Sequence, residues 1–300
     1  MSENVITNRP LVGQVALVAG ATRGAGRAIA IELAAAGALV YATGRSTSSS
    51  PSPMQRPETI EETAELSAVR GGKALAVRVD HTVPEEVAAL LERIDREQAG
   101  RLDILINDLW GGDPLAQWGL PFWEHDLEAG LLMQRNAVGS HLITSWYAAP
   151  LMVRRGSGLI IEVTDGINDR YRGSLFYDLA KASVIRLAMA QAEDLRPHNV
   201  AALALSPGFL RSEAMLDHFG VTEATWRDAI ARDPNFAVSE TPFFIGRAVV
   251  ALASDPDVMS KSGQALATWN LAREYDFTDV DGTQPHWGNH ARDVLGLDMG

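Results

Sequence analysis

The sequence predicts an α/β protein, a parallel sheet covered by helices on both faces, folded as a single domain. Three observations predict it. Short apolar, β-leaning runs alternate with helix-length segments along the chain. The first such unit places Gly20, Gly24 and Gly26, spaced G-x-x-x-G-x-G, between a strand and a helix. No internal repeat and no long linker divides the 300 residues.

The elements follow in order. Val15–Ala19 is an apolar run suited to a strand buried on both faces. The Ala-rich segment Arg27–Ala36 is helical and stops at Gly37, and Leu39–Thr43 is the second strand. Ser46–Pro53 is Ser/Pro-rich and predicts a mobile loop. Glu58–Arg70 predicts a helix ended by Gly71 and Gly72, and Ala74–Val79 the third strand, closed by Asp80, His81 and Thr82. Pro84 suits the first position of a helix over Pro84–Gln98. A strand over Leu102–Asn107 precedes one long helix over Asp126–Arg155 that contains Asn136. Leu159–Val163, a helix over Phe176–Leu195 and Val200–Leu205 come next. Arg211–Arg232 reads as one or two short helices, Pro242–Ser254 as another, and Ala265–Asn270 as the last strand.

Composition narrows the function. The apolar share of 46% and charged share of 21% suit a globular protein with a sizeable core. A net charge of −12 without a long basic run argues against nucleic acid as a partner. Zero cysteines exclude disulfides, thiolate metal sites and cysteine nucleophiles. The N-terminus MSENVITNRPL has no signal-peptide core, and no run approaches the about 18 apolar residues of a membrane span. A cytoplasmic protein, with no membrane partner, is the expectation.

The glycine turn between strand and helix suits a dinucleotide. Bare backbone N–H groups at a helix N-terminus receive a pyrophosphate, and glycine lets it come close. NAD sites place a carboxylate about 20 residues on, at the end of the second strand, to hold the ribose 2′-OH. Here Arg45 and Ser46 stand there, and Arg23 precedes the middle glycine. Guanidinium forks suit a 2′-phosphate, so the expected cofactor is NADP(H), with Thr22 inside the turn.

With the glycine turn, Asp80, Asn107, Asn136 and Tyr177-x-x-x-Lys181 in this order, the chain resembles the short-chain dehydrogenase/reductase family from about Val12 to Leu271. The resemblance implies a Rossmann-type, doubly wound, seven-stranded parallel sheet, a nicotinamide cofactor, and a homodimer or homotetramer built partly from the two long helices. The family's opening threonine is Ala19 here, and of its Asn-Asn-Ala-Gly run only Asn107 remains in Asn107-Asp108-Leu109-Trp110-Gly111. The resemblance assigns Asp80, with His81 beside it, to the adenine side and Asn107 to the cofactor site. Pro207, Gly208 and Ser212 match the loop that holds the nicotinamide carboxamide.

Tyr177 and Lys181 lie at i and i+4, on one face of a helix. A free phenol titrates near pKa about 10, and a neighbouring ammonium lowers that value. By resemblance Tyr177 protonates a substrate carbonyl, Lys181 also binds the nicotinamide ribose, and Asn136 positions a water. The family's serine is missing. Counting forward from Gly158 puts Asp165 in its place; counting back from Tyr177 puts Thr164 there. Thr164 can donate a hydrogen bond as serine does, and is the favoured donor: Thr164→Ala is expected to cut turnover and Asp165→Ala is not. An ionised Asp165 would repel an oxyanion; a protonated one could donate, and a cationic imine or amine substrate would welcome the charge. Asp165 also suits a cap of the Asp165–Gly166 turn.

Trp110, Trp118 and Trp123 crowd the segment after the fourth strand, fitting either an apolar or aromatic substrate or core packing under a loop. Tyr171 and Arg172 precede Tyr177 in a surface loop, and Phe209–Phe236 is by resemblance a lid over substrate. His286 and His290 share helical spacing but lack a third ligand, so no metal is expected. The tail Arg273–Gly300 is expected to wrap a neighbouring subunit or its own sheet edge. The leading expectation is an NADPH-dependent carbonyl reductase acting on a small molecule. The alternatives are a C=N reductase, a lyase or isomerase on the same fold, and a non-catalytic NADP-binding sensor or scaffold.

Overall fold

Alternation of side chains along buried strands decides how this sheet is covered. In a computed structural model that describes residues 9–52 and 54–297, seven strands pair in parallel. They are β1 (Val15–Ala19), β2 (Leu39–Gly44), β3 (Lys73–Arg78), β4 (Ile104–Asn107), β5 (Gly158–Val163), β6 (Val200–Ser206) and β7 (Ala265–Ala267). Their order is β3-β2-β1-β4-β5-β6-β7, so the winding reverses between β1 and β4. At such a switch point the connections leave in opposite directions and open a crevice at the strands' carboxyl ends.

Ala16, Val18, Ile104, Ile106, Ile161 and Leu203 face one core, closed by α1 (Gly24–Ala35) and α8 (Pro242–Ser254). Val15, Leu17, Leu105, Ile160 and Ala202 face the other, closed by α3 (Pro84–Glu97), α5 (Ser140–Arg155) and α6 (Leu175–Leu195). α2 (Ile60–Val69) packs beside β3 and α1. Burying a Leu or Ile side chain contributes about 1.5–3 kcal/mol, which fixes the strand register.

Four expectations are corrected. Helix α1 begins at Gly24 rather than Arg27, because Arg23, its N-cap, is the last extended residue before it. The long helix of the sequence reading is α4 (Leu127–Gln134), a π-helical turn over Arg135–Gly139, and α5; the wider turn carries Asn136. The last strand stops at Ala267, and residues expected to extend it form α9 (Thr268–Glu274). Thr268 turns its hydroxyl to Glu240 there, and Trp269 and Leu271 bury themselves in the helix. The Ser/Pro-rich stretch, expected to be mobile, is tied down: Thr47 and Ser50 exchange backbone hydrogen bonds, and Ser52 accepts from Arg23 at 2.9 Å. Pro53, and residues 1–8 of the N-terminus, for which no signal-peptide core is expected, lie outside the described residues.

α7 (Glu213–Phe219) and the 3₁₀ turns Trp226–Ala231 and Pro234–Val238 form a small aromatic cluster of Phe209, Phe219, Trp226 and Phe236. The tail returns as α10 (Trp287–Leu295), which lays Trp287 on Phe209 and joins His290 to Asn235 at 2.9 Å. His286 accepts from the Asn289 amide and caps that helix.

Candidate active site

The crevice has two ends. At the first, Gly20 takes φ +94° and Gly24 φ +54°, which side chains oppose. A methyl group at Gly20 would strike the Asp108 carbonyl, and one at Gly26 the Gly20 carbonyl. The glycines thus keep backbone N–H groups open at the start of α1, where the helix dipole favours an anion. The chain itself supplies one: Glu213 from α7 accepts from the Gly24 N–H at 2.9 Å. A cradle that holds a carboxylate offers the same N–H groups to a phosphate, and a pyrophosphate group fits these residues. Thr22 sits beneath, its hydroxyl against Gly44.

Arg23 and Arg45 both reach this end. Arg23 donates to Ser52 and lies 3.6 Å from Glu58, while Arg45 lies 3.7 Å from Asp80 and reaches toward Gly111. Asp80 also accepts from the amide and hydroxyl of Thr82, which hold its carboxyl below the usual range against burial. Arg56 was not anticipated from the sequence: it forks onto Glu58 and reaches Asp217 of α7 at 3.0 Å. Ser46 is buried, its carbonyl accepting from Ile60 at the start of α2.

Two residues expected at the cofactor turn their side chains inward. His81 is buried between the Thr43 and Thr144 hydroxyls, each at 2.8 Å, and burial drives its pKa down to about 3. Asn107 donates to Ser145 and to Glu162, its neighbour in strand register. The same Glu162 oxygen accepts from Ser145 and Gln191; the other faces His141 Nδ1 at 2.7 Å, and His141 Nε2 faces the Leu109 carbonyl at 3.0 Å. This buried network braces the backbone just before Trp110. Its one sequence signal is an acidic residue inside the apolar run GLIIEV.

At the second end, Tyr177 and Lys181 share a face of α6, as their spacing requires. The Tyr177 hydroxyl donates to Asp165 Oδ2 at 2.8 Å. Thr164, expected as the donor, gives its hydroxyl instead to the Lys181 carbonyl at 2.8 Å and is buried. Successive residues leaving a strand point to opposite sides, so only one of the two can face the phenol. That one is Asp165. It does not merely cap its turn, and Arg172 secures the loop by donating to the Asp165 carbonyl at 2.6 Å and pairing with Asp178 at 2.8 Å.

Trp110 meets the Tyr177 ring edge-on at 5.4 Å and Trp118 lies 5.1 Å from it, so both wall the site rather than fill a core. Trp123 is exposed. Lys181 Nζ sits 3.9 Å from the centre of the Trp110 ring. Burial, Asp165 and Asp113 push the Tyr177 phenol well above its ordinary range, keeping it protonated. Burial lowers Lys181 against the pull of Asp165, Asp108 and Asp113. Burial also raises Asp108 to about 6, opposed by Lys181 and the Gly26 N–H.

At the end of β6, Gly208 donates to Glu240 at 2.9 Å, and Ser206 ties the Pro207 carbonyl to the Gly166 amide. Ser212 caps α7 by accepting from Met215. Asn136 lies across from Gly111. The motif residues of strands β1, β4, β5 and β6 thus converge on one crevice.

Known proteins share this fold and much of this sequence. The sequence model of the short chain dehydrogenase family matches residues 14–219. Dehydrogenase/reductase SDR family member 1 of Mus musculus is 38% identical over 279 residues, covering 91% of this chain and 85% of the relative. A short chain dehydrogenase structure from Mycobacterium thermoresistibile has a TM-score of 0.76 at 25% identity, covering 93% of this chain and 92% of that one. A Beutenbergia cavernae protein, assigned as an NAD(P)-dependent gluconate 5-dehydrogenase and crystallised with NADP at low occupancy, has a TM-score of 0.67 at 26% identity, covering 86% and 96%.

Proposed function

This chain belongs to the short-chain dehydrogenase/reductase family, and on that premise we propose that it is an NADPH-dependent reductase of a small apolar or aromatic molecule. The acceptor is a polarised double bond, and Tyr177 supplies or holds the proton on its heteroatom. When bound, the nicotinamide nucleotide supplies the hydride. Gly20, Thr22, Gly24 and Gly26 would hold its pyrophosphate, Arg23, Arg45 and Ser46 its 2′-phosphate, and Asp80 its adenine side. Pro207, Gly208 and Ser212 would hold its carboxamide, and Lys181 its second ribose.

The observation that carries this reading is the Tyr177–Lys181 pair on one face of α6, walled by Trp110 and Trp118. A phenol kept protonated by burial and by neighbouring carboxylates is a poor source of the phenolate base that oxidation needs, which favours reduction over oxidation. Lys181 beneath it stabilises the negative charge that remains after transfer, and Asn136 lies in a π turn of the kind frequent at functional sites. Carbonyl reduction is the reading that the motif order supports. C=N reduction is supported by one observation, the carboxylate of Asp165 on the phenol.

A homodimer or homotetramer belongs to the same proposal. Leu127, Leu131, Leu142, Trp146, Leu179 and Met189 stand exposed on α4, α5 and α6, an apolar face that a second copy would bury. Among the described residues no helix is long and apolar enough to cross a membrane.

The test is NADPH oxidation with a panel of ketones, aldehydes and cyclic imines. Tyr177→Phe is expected to lower kcat/KM by about 10² or more for any acceptor the wild type reduces, with unchanged folding by circular dichroism. Wild-type rates in the phenylalanine variant would overturn the proposal.

A further inference from the structure

A phenol has one proton, and here it is committed: the Tyr177 hydroxyl donates to Asp165 Oδ2 at 2.8 Å. What remains toward the crevice is the lone pairs of the phenol oxygen and of the carboxylate, all acceptors. A neutral carbonyl oxygen is also an acceptor, and the oxyanion formed on its reduction would develop beside a carboxylate. A positively charged nitrogen bearing hydrogen is the complement of this pair.

The surrounding groups agree. The Trp110 and Trp118 rings lie 5.4 Å and 5.1 Å from the Tyr177 ring, and aromatic faces attract cations. One internal cation already uses this property, Lys181 Nζ at 3.9 Å from the Trp110 ring centre. The charges that act on Tyr177 and Lys181 are those of Asp165, Asp108 and Asp113 on one side and Arg172 on the other. Arg172 is spent on Asp178 and on the carbonyls of Asp165, Asn168 and Arg170. Of the three carboxylates, Asp113 accepts from the Trp110 indole N–H at 2.6 Å and Asp108 from the Gly26 N–H, which leaves Asp165 as the one that meets the phenol.

From the Asp165–Tyr177 hydrogen bond and its tryptophan walls we infer that the substrate is a protonated imine of a small aromatic or apolar compound, reduced to the amine. The inference rests on the proposed hydride transfer and names its substrate class. Hydride from the reduced nicotinamide nucleotide adds to the iminium carbon, and the C=N π pair becomes a lone pair on nitrogen. The substrate loses its positive charge and the nucleotide is left oxidised. The proton a carbonyl would have to be given arrives on the nitrogen, so Tyr177 keeps its bond to Asp165 and holds the N–H through its oxygen.

The test compares dihydroisoquinoline, a cyclic imine, with tetralone, a ketone of the same bicyclic outline. NADPH kinetics are measured for wild type, Asp165→Asn and Asp165→Ser. Binding of tetrahydroisoquinolinium is measured by titration calorimetry without nucleotide. Wild type is expected to favour the imine by about tenfold or more in kcat/KM, a difference near 1.4 kcal/mol. Both variants should bind the ammonium at least about tenfold more weakly and shift their preference toward the ketone, with Asp165→Asn keeping the side-chain shape. A wild-type preference for the ketone, or an ammonium affinity and substrate ratio unmoved in both variants, overturns the inference while leaving the reductase reading intact. Asp165-dependent ammonium binding with turnover of neither compound overturns the substrate assignment together with the hydride-transfer reading, and leaves only the cation site.

Discussion

The two ends of the crevice handle charge in opposite ways. At the glycine turn, donors gather: the Gly24 N–H, Arg23, Arg45 and Arg56, and the carboxylates that meet them, Glu213, Glu58 and Asp80, come from neighbouring segments. At Tyr177, acceptors gather: Asp165 and the phenol oxygen, walled by indole rings. The first end is an anion site held ready by the chain's own carboxylates. The second fits a cation. One fold presents both because the winding reverses between β1 and β4, and loops of different composition leave the strands on either side.

The largest expected effect falls behind the loop that follows β6. Glu240 is buried, accepts from Gly208 and Thr268, and leaves its other oxygen without a partner among the described residues. Burial pushes its pKa up from 4.5 to about 8. The folded chain therefore keeps a proton that the unfolded chain releases. The stability this contributes is full below about pH 4.5 and is lost as pH rises toward about 8. The loss is on the order of 3–5 kcal/mol, and Asp108, raised to about 6, adds to it with the same sign. Urea melts below and above this window should show Glu240→Gln flattening the decline; an unchanged slope would separate Glu240 from the pH dependence.

A smaller effect sharpens the anion end. Glu213 occupies the Gly24 N–H that a phosphate would take, so on the proposed reading nucleotide binding would displace it. Glu213→Gln removes the competing charge while keeping the length of the side chain. It should tighten NADPH binding about three- to tenfold, in line with about 1 kcal/mol for an anion at a helix N-terminus. Weaker binding in the glutamine variant would mean that Glu213 supports the nucleotide rather than competing with it.

The difference between the ends also explains what the sequence made legible. The β1–α1–β2 unit was readable because its constraints are local: glycines where the chain must turn and an arginine where a carboxylate is absent. Tyr177 and Lys181 were readable because helical spacing places them together. Direction at a strand end was not. A count from either side left Thr164 and Asp165 one residue apart, and only the loop geometry turns Asp165 to the phenol. Asn107 and His81 kept their places in the motif order, yet Glu162, Ser145 and the Thr43 and Thr144 hydroxyls draw their side chains inward. Those partners are distant in sequence, as is Arg56 from Asp217. The π turn at Asn136 carries only Gly139, too weak a signal inside a helical pattern to announce it, and Ala265–Asn270 read as a strand because the Thr268–Glu240 bond is distant in sequence.

The account depends most on a 2′-phosphorylated nicotinamide nucleotide at the glycine turn. Calorimetric titration of the wild-type chain with NADPH and with NADH measures that directly. NADPH is expected to bind at least about tenfold more tightly, with Arg45→Ala erasing most of the difference. Equal affinities, or tighter binding of NADH, would contradict it.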